Sequence, residues 1–343
     1  MTTTRYFIGM DGGGTKTRFA LIDQHGRLLA EAQFGTTYHP QVGLDGVGDV
    51  LAQGIGAVLQ QATLHSSQIH HAFFGFPAFG EDSRMVPLLQ ALPAAILGHS
   101  RYSCDNDMVC GWAGSLDCAD GINIVAGTGS IAYGQRQGRA ARAGGWGETF
   151  SDEGSAYWIA IRGLNVFSRM SDGRLPRGPL HDLLKRSLQL RQDIDLCGYV
   201  YGETAATRDQ LAQISRLVAQ AAQAGDAAAR HIFQQAGEEL AHIVLAVARA
   251  LEFAPAQTVP VSCSGGAFAT GELLLQPLCD TLVASKQRYE IRPAVHAPHI
   301  GAAHYAARLA GIVVQDTTIS EPPRYPADDG TLASARKHHP TSK

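Results

Sequence analysis

The chain opens on three short apolar runs, residues 5–11, 17–23 and 27–34, parted by glycine-rich or polar breaks. Runs of this length bounded by turn residues predict strands, and their close spacing predicts a three-strand meander. The first joint carries Gly12-Gly13-Gly14-Thr15-Lys16 and the second His25-Gly26. Residues 43–63 then place Val47, Val50, Leu51, Ile55, Val58 and Leu59 at helical spacing. Ala72-Phe73-Phe74-Gly75-Phe76 predicts a buried strand, with a short helix to follow near 84–92. Cys104-Asp105-Asn106-Asp107 closes a further strand and opens an apolar helix. Residues 121–144 return to strands around a second glycine turn. From about 152 the pattern is helical, and its longest helix, 226–253, keeps Ile232, Phe233, Leu240, Val244, Val247 and Leu251 on one stripe behind Gly225-Asp226 as cap. A strand at 257–263, a helix at 270–284, a strand at 288–292 and a helix at 299–311 complete the pattern. Residues 315–343, rich in Pro, Asp, Lys and Ser, read as disordered.

Each half therefore begins with a strand, a glycine turn and helices, and a third glycine loop stands near residue 265. The fold class this predicts is α/β, with two related lobes closing over a nucleotide. The boundaries read as 1–118, 119–314 and a tail at 315–343. A length of 343 residues suits two domains of roughly 100–200 residues each. With 28 basic and 31 acidic residues the net charge is −3, which argues against nucleic acid or an acidic membrane as main partner. The N-terminus lacks the apolar core of a signal peptide, and no run approaches the roughly 20 apolar residues that span a bilayer. Six cysteines form no Cys-x-x-Cys pair and no Cys/His spacing suited to zinc, so buried free thiols in a reducing, cytoplasmic setting are expected. Most of the fourteen histidines, the tail pair His338-His339 among them, read as surface residues.

The chemistry concentrates in the glycine loops. In Asp11-Gly12-Gly13-Gly14-Thr15 the glycines free backbone N–H groups for phosphate, Thr15 adds a hydroxyl, and Asp11 offers oxygen to a magnesium ion. The same residues would serve a plain hairpin turn. Ala126-Gly127-Thr128-Gly129-Ser130 is a second such loop, and the two together suit one triphosphate gripped from two sides. Ser262, Ser264, Gly265 and Gly266 suit the approach of an adenosine, or simple strand-to-helix packing. Of the two acids in Cys104-Asp105-Asn106-Asp107, one can cap the helix and the other face the cleft, and Asp107 is the candidate base for a sugar hydroxyl. Gly144-Gly145-Trp146-Gly147 offers an aromatic face for a sugar ring, and Asp152 offers either a carboxylate for its hydroxyls or a helix cap. His39 stands in a polar loop after the third strand.

Taken in order, Asp11-Gly12-Gly13-Gly14-Thr15, Asn106-Asp107, Gly127-Thr128-Gly129-Ser130, Gly144-Gly145-Trp146-Gly147 and Asp152-Glu153-Gly154-Ser155-Ala156-Tyr157-Trp158-Ile159-Ala160 resemble the N-acetylglucosamine kinases of the BadF/BadG/BcrA/BcrD ATPase family, over roughly residues 5–311. That family belongs to the sugar kinase, actin and heat-shock chaperone ATPase superfamily. The resemblance implies two ribonuclease-H-like lobes, ATP and Mg2+ as cofactors, a small amino sugar as partner, and a tendency to dimerise. It implies that Asp11 serves the metal and that Gly12, Gly13, Gly14, Thr15, Lys16, Gly127, Thr128, Gly129, Gly265, Gly266 and Thr270 hold the nucleotide. Asp107 becomes the base that deprotonates the sugar 6-hydroxyl, and His39, Gly145, Trp146, Gly147 and Asp152 the sugar-binding set. Two loops depart from the family pattern. Tyr38 stands before His39 where Asn is usual, and Phe76-Pro77-Ala78-Phe79-Gly80 replaces a small polar loop, so glucosamine stays a rival to N-acetylglucosamine. Other readings within reach are an activator ATPase holding an iron–sulfur cluster and a sugar-sensing regulator without catalysis.

Overall fold

The computed structural model describes residues 4–314, so the expectation for 315–343 lies outside the described residues. The first sheet is built from β1 (Tyr6–Gly12), β2 (Thr17–Asp23), β3 (Leu28–Phe34), β4 (Ile69–Phe76) and β5 (Tyr102–Asn106) in the order β3-β2-β1-β4-β5. The meander is antiparallel, and β4 and β5 add in parallel. Between these strands run α1 (His39–Ala62) and α2 (Val86–Leu97), and α3 (Met108–Leu116) follows. The second sheet repeats the plan with β6 (Gly121–Ala126), β7 (Ser130–Arg136), β8 (Arg139–Gly144), β9 (Thr258–Ser264) and β10 (Arg288–Arg292), ordered β8-β7-β6-β9-β10. Between β8 and β9 lie α4 (Ala156–Ser171), α5 (Pro179–Ser187), α6 (Leu196–Tyr201), α7 (Arg208–Gln223) and α8 (Ala227–Ala250). Helices α9 (Glu272–Ala284) and α10 (Pro298–Leu309) flank and follow β10. The repeated order makes this a two-lobe α/β fold with ribonuclease-H-like lobes.

The strand pattern explains why both faces of the first sheet are covered. Ile8, Met10, Phe19, Leu21 and Phe74 project to one face with Val47, Leu51, Ile55 and Val58 of α1. Their chain neighbours Phe7, Ala20, Ile22 and Phe73 project to the other, against Trp112 of α3 and Ala302, Ala303 and Ala306 of α10. Helix α1 is apolar and long enough by composition to cross a bilayer, contrary to the expectation of no such run, yet its Val47, Leu51, Ile55 and Val58 are buried here.

Helix α10, counted from sequence with the second lobe, packs on β1, β2, β4 and α3 instead. Small residues allow this. A Cβ on Gly301 would stand 2.0 Å from the backbone nitrogen of Gly114, and one on Gly9 would stand 2.1 Å from that of Ala303. Backbone thus meets backbone where α3 and α10 cross. Two further boundaries differ. Helix α2 runs to Leu97, with Pro87 tolerated in its first turn. The expected helix at 270–284 breaks at Gly271, whose φ is +62°, leaving a 3-10 turn at Gly266–Thr270. The asparagine, serine and aspartate caps follow ordinary chemistry, and Asp226 caps α8 as expected by accepting from the N–H of Ala229.

Candidate functional site

At the carboxyl end of β1, Asp11 pairs in register with Gly75 of β4. A Cβ on Gly75 would lie 2.3 Å from Sγ of Cys110 and 3.1 Å from the Cα of Asp107, so the glycine lets the start of α3 close onto β4 beside Asp11. The Asp107 N–H donates to the Phe76 carbonyl at 3.2 Å, fixing the start of α3 against β4. Asn106 takes the capping work instead, its Oδ1 accepting from the N–H of Met108. Asp107 is thereby left with no ion pair among the described residues. Burial pushes its carboxyl up to about 7, opposed by the nearby N–H of Met108 and helped by the charge of Glu81. Burial also lifts Asp11 to about 8, with the negative charge of Asp107 second, against the opposing charges of Arg18 and Lys16. Two neighbouring acids, both resisting ionisation, are what a cation and a proton acceptor at one place require.

The first glycine turn divides its work. A Cβ on Gly12 would sit 2.4 Å from the Thr37 hydroxyl and 2.7 Å from the Gly75 carbonyl, so Gly12 serves packing. Beyond Gly14 there is open space, and its backbone is not left-handed. Nothing in the chain itself asks for glycine there. The same holds for Gly127 and Gly266 in the second lobe. Open cradles at all three loops, together with the buried Asp11 carboxyl, fit a nucleotide and its metal ion. Thr15 and Lys16 are exposed on the first loop. Thr36 donates to the Gly13 carbonyl at 2.7 Å and so ties that loop to the segment leading into His39. Nδ1 of His39 is buried with no hydrogen-bond partner.

In the second lobe, a Cβ on Gly265 would stand 2.4 Å from the Ala126 carbonyl, so the second and third glycine loops touch. Thr128 Oγ1 donates to Asp209 Oδ1 at 3.1 Å, and Thr270 Oγ1 to the Ala267 carbonyl at 2.7 Å. Asp152 is buried behind this loop, its Oδ1 accepting from the N–H of Ser130 at 3.4 Å and its Oδ2 from Arg208 at 2.6 Å. It does not cap α4; Ser155 does, accepting from the N–H of Trp158. Trp146 is 68% exposed, so it is not a core residue, and Arg142 lies 5.6 Å from its ring. Gly145 and Gly147 beside it adopt φ of +69° and +96°, a turn that side chains resist. Among the described residues, no hydrogen bond or ion pair joins the Asp11–Asp107–His39 group to the Thr128–Asp152–Trp146 group.

The model of one family, BadF/BadG/BcrA/BcrD ATPase, matches residues 8–306. The chain belongs to that family. It is 28% identical over 306 residues to an N-acetyl-D-glucosamine kinase of Dictyostelium discoideum, covering 87% of this chain and 96% of the relative. It is 30% identical over 266 residues to an N-acetylmuramic acid/N-acetylglucosamine kinase of Clostridium acetobutylicum, covering 76% and 85%. A solved Chromobacterium violaceum structure, described as an N-acetylglucosamine kinase, superposes with TM-score 0.63 at 28% identity, covering 88% of this chain and 98% of that one.

Sequence reading missed Arg208 in this member of the BadF/BadG/BcrA/BcrD family. Its guanidinium pairs with Asp152 at 2.6 Å and with Glu148 at 3.2 Å, and would lie 3.1 Å from a Cβ on Gly129. One cation thus bridges the Trp146 stretch and the second glycine loop. Only its place at the capped start of α7, after Thr207, marked it in the sequence. Most of the described histidines are exposed or half-buried, in line with the surface expectation, while His181, His296, His299 and His304 are buried. The cysteines are free as expected, with Cys110 and Cys118 buried and Cys197 exposed.

Proposed function

We propose that this chain is an ATP-dependent amino-sugar kinase that phosphorylates N-acetylglucosamine at the 6-hydroxyl, giving N-acetylglucosamine 6-phosphate and ADP. The observation that carries this reading is Asp107 standing beside Asp11 across Gly75, unpaired and raised to about 7. A carboxylate with that value takes a proton from an alcohol near neutrality when geometry holds the two together. Asp11 would hold Mg2+, which when bound neutralises phosphate charge. Backbone N–H groups around Gly14 and Gly129, with Thr15, Lys16 and Thr128, hold the phosphates, while the N–H groups of Gly13 and Gly127 close the two turns onto the Lys16 and Gly129 carbonyls. Gly265, Gly266 and Thr270 border the adenosine. The exposed face of Trp146 stacks on the sugar, flanked by Gly145 and Gly147, and His39 offers its unpartnered Nδ1 to a sugar polar group. Asp152, bound to Arg208 and Ser130, fixes the loop between sugar and phosphates. The names of two curated relatives, 28% and 30% identical, favour N-acetylglucosamine, while a third, 25% identical over 248 residues, is a glucosamine kinase of Vibrio cholerae, so the sugar screen decides between them.

The test is a coupled ADP-release assay over N-acetylglucosamine, glucosamine, glucose, N-acetylmannosamine and N-acetylmuramic acid. N-acetylglucosamine should give the highest kcat/KM, with phosphate at the 6-position by NMR of the product. A preference for glucosamine would replace the substrate, and no sugar-dependent ADP release would end the kinase reading.

A further inference from the structure

Three residues with metal-ligating side chains, Asp117, His296 and His304, converge away from the glycine loops. His304 Nδ1 lies 2.9 Å from Asp117 Oδ1, and His296 Nε2 lies 3.8 Å from the same oxygen. One ligand atom from each residue lies within 4.8 Å of the other two. The two imidazole rings are 4.6 Å apart and tilted by 54°, a wedge rather than a stack. Both histidines are buried, while the Asp117 side chain is 40% exposed, so the cluster opens to solvent on one side. Asp117 and its neighbour Cys118 both hold left-handed backbone, φ +48° and +58°, an unfavourable arrangement for two successive non-glycine residues that turns the carboxylate toward α10.

We propose that Asp117, His296 and His304 form a binding site for a divalent first-row transition ion of the zinc type, at the crossing of α3 and α10. Two imidazole nitrogens and one carboxylate oxygen make a three-ligand set, and the solvent side leaves a fourth position for water. Such a set is distinct in chemistry from Asp11, which suits a hard cation taking oxygen ligands. Arg308 donates to the Cys118 carbonyl and sets a positive charge beside Asp117. That charge disfavours a cation held by electrostatics alone and leaves one held by imidazole. The position gives the ion a consequence. Asp117 follows the last turn of α3, His296 stands just before α10 with its N–H bonded to the Gly114 carbonyl at 2.8 Å, and His304 lies within α10. Metal bonds there would fasten together the two helices on which the first sheet rests.

The experiment uses the full chain, stripped with a chelator, dialysed into excess Mg2+ and titrated with Zn2+, with Co2+ as spectroscopic probe. One equivalent of Zn2+ should bind, Co2+ should give visible ligand-field absorption, and Tm should rise with Zn2+. Asp117→Asn, a change at a half-exposed side chain, and His304→Ala should each weaken binding by more than the roughly 10- to 100-fold typical of losing an outer-shell partner. If His304→Ala does not fold, Asp117→Asn alone decides. No stoichiometric uptake by the unaltered chain would overturn the proposal. So would equal uptake by the variants, which would put the ion elsewhere, the sequence pair His338-His339 included.

Discussion

In the first lobe, Asp11 and Asp107 flank a glycine with no arginine or lysine among the described residues bonded to either; in the second, Asp152 has an arginine on one oxygen and a backbone N–H on the other. Burial raises all three carboxyls, but the neighbours differ in how they engage. A second carboxylate raises Asp11 further against the unbonded charges of Arg18 and Lys16, whereas the Ser130 N–H and Arg208 oppose the rise at Asp152 through hydrogen bonds. The strand plan is the same in both lobes, so the fold does not dictate which acid stays reactive. The difference is whether a cation from the chain reaches it. An acid left short of partners costs stability and is available for chemistry; an acid fully engaged holds a loop in shape.

Asp107→Asn is the largest break in that comparison. Turnover should fall about 100- to 10,000-fold with sugar affinity largely kept, as for loss of a general base. Stability should move the other way. The folded carboxyl is raised to about 7, above its unfolded value near about 4. The stability tied to it is therefore present in acid and lost as pH climbs through about 7. At about pH 8 the asparagine variant avoids that loss, and its Tm should exceed the parent's by a few degrees. A lower Tm with near-normal turnover would make Asp107 a structural residue like Asp152.

The same sign governs the pH profile of the unaltered enzyme. Asp107 accepts a proton only when ionised, so kcat/KM for ATP should drop about tenfold per unit as pH falls below about 7. A flat profile down to about pH 5 would mean an ordinary carboxyl and remove the base assignment. Asp152→Ala should act oppositely to Asp107→Asn on stability. It frees the Ser130 N–H and Arg208, a cost of about 1–3 kcal/mol, so Tm should fall and KM for ATP rise.

Much of this contrast was legible in the sequence. Strand, glycine run and carboxylate are local patterns, so Asp11, the 127–130 loop and the acids before α3 announce themselves over a few residues. The division of labour between Asn106 and Asp107 did not, because it depends on which side chain meets the Met108 N–H. Arg208 lies 56 residues from Asp152, and no periodicity links them. Helix α10 shows in sequence that it has a small-residue face, but not that the face belongs to the first sheet; only the approach of Gly301 to Gly114 decides that. Which histidines are buried does not show in the sequence either, since the partners of His299 and His304, Glu31 and Asp117, lie far away in the chain.

The finest test sets one glycine from each lobe against the other. Gly14 and Gly127 both face open space with backbone that alanine can adopt. By chain conformation alone, alanine at either place should stabilise the fold by about 0.4–1 kcal/mol, through a less flexible unfolded state. If both loops close on one nucleotide, each methyl group enters space the phosphates need, and each variant should lose several-fold in ATP affinity by calorimetry while N-acetylglucosamine binding holds. Weaker ATP binding from Gly14→Ala alone would leave the 127–130 segment a plain hairpin braced by Asp152, with the nucleotide gripped from one side. Loss from Gly127→Ala alone would detach Asp11 from the phosphates and with it the metal role. Equal losses at two positions that no contact within the protein explains would mean that the lobes share a ligand, and that the unpaired acids of the first lobe work on phosphates held partly by the second.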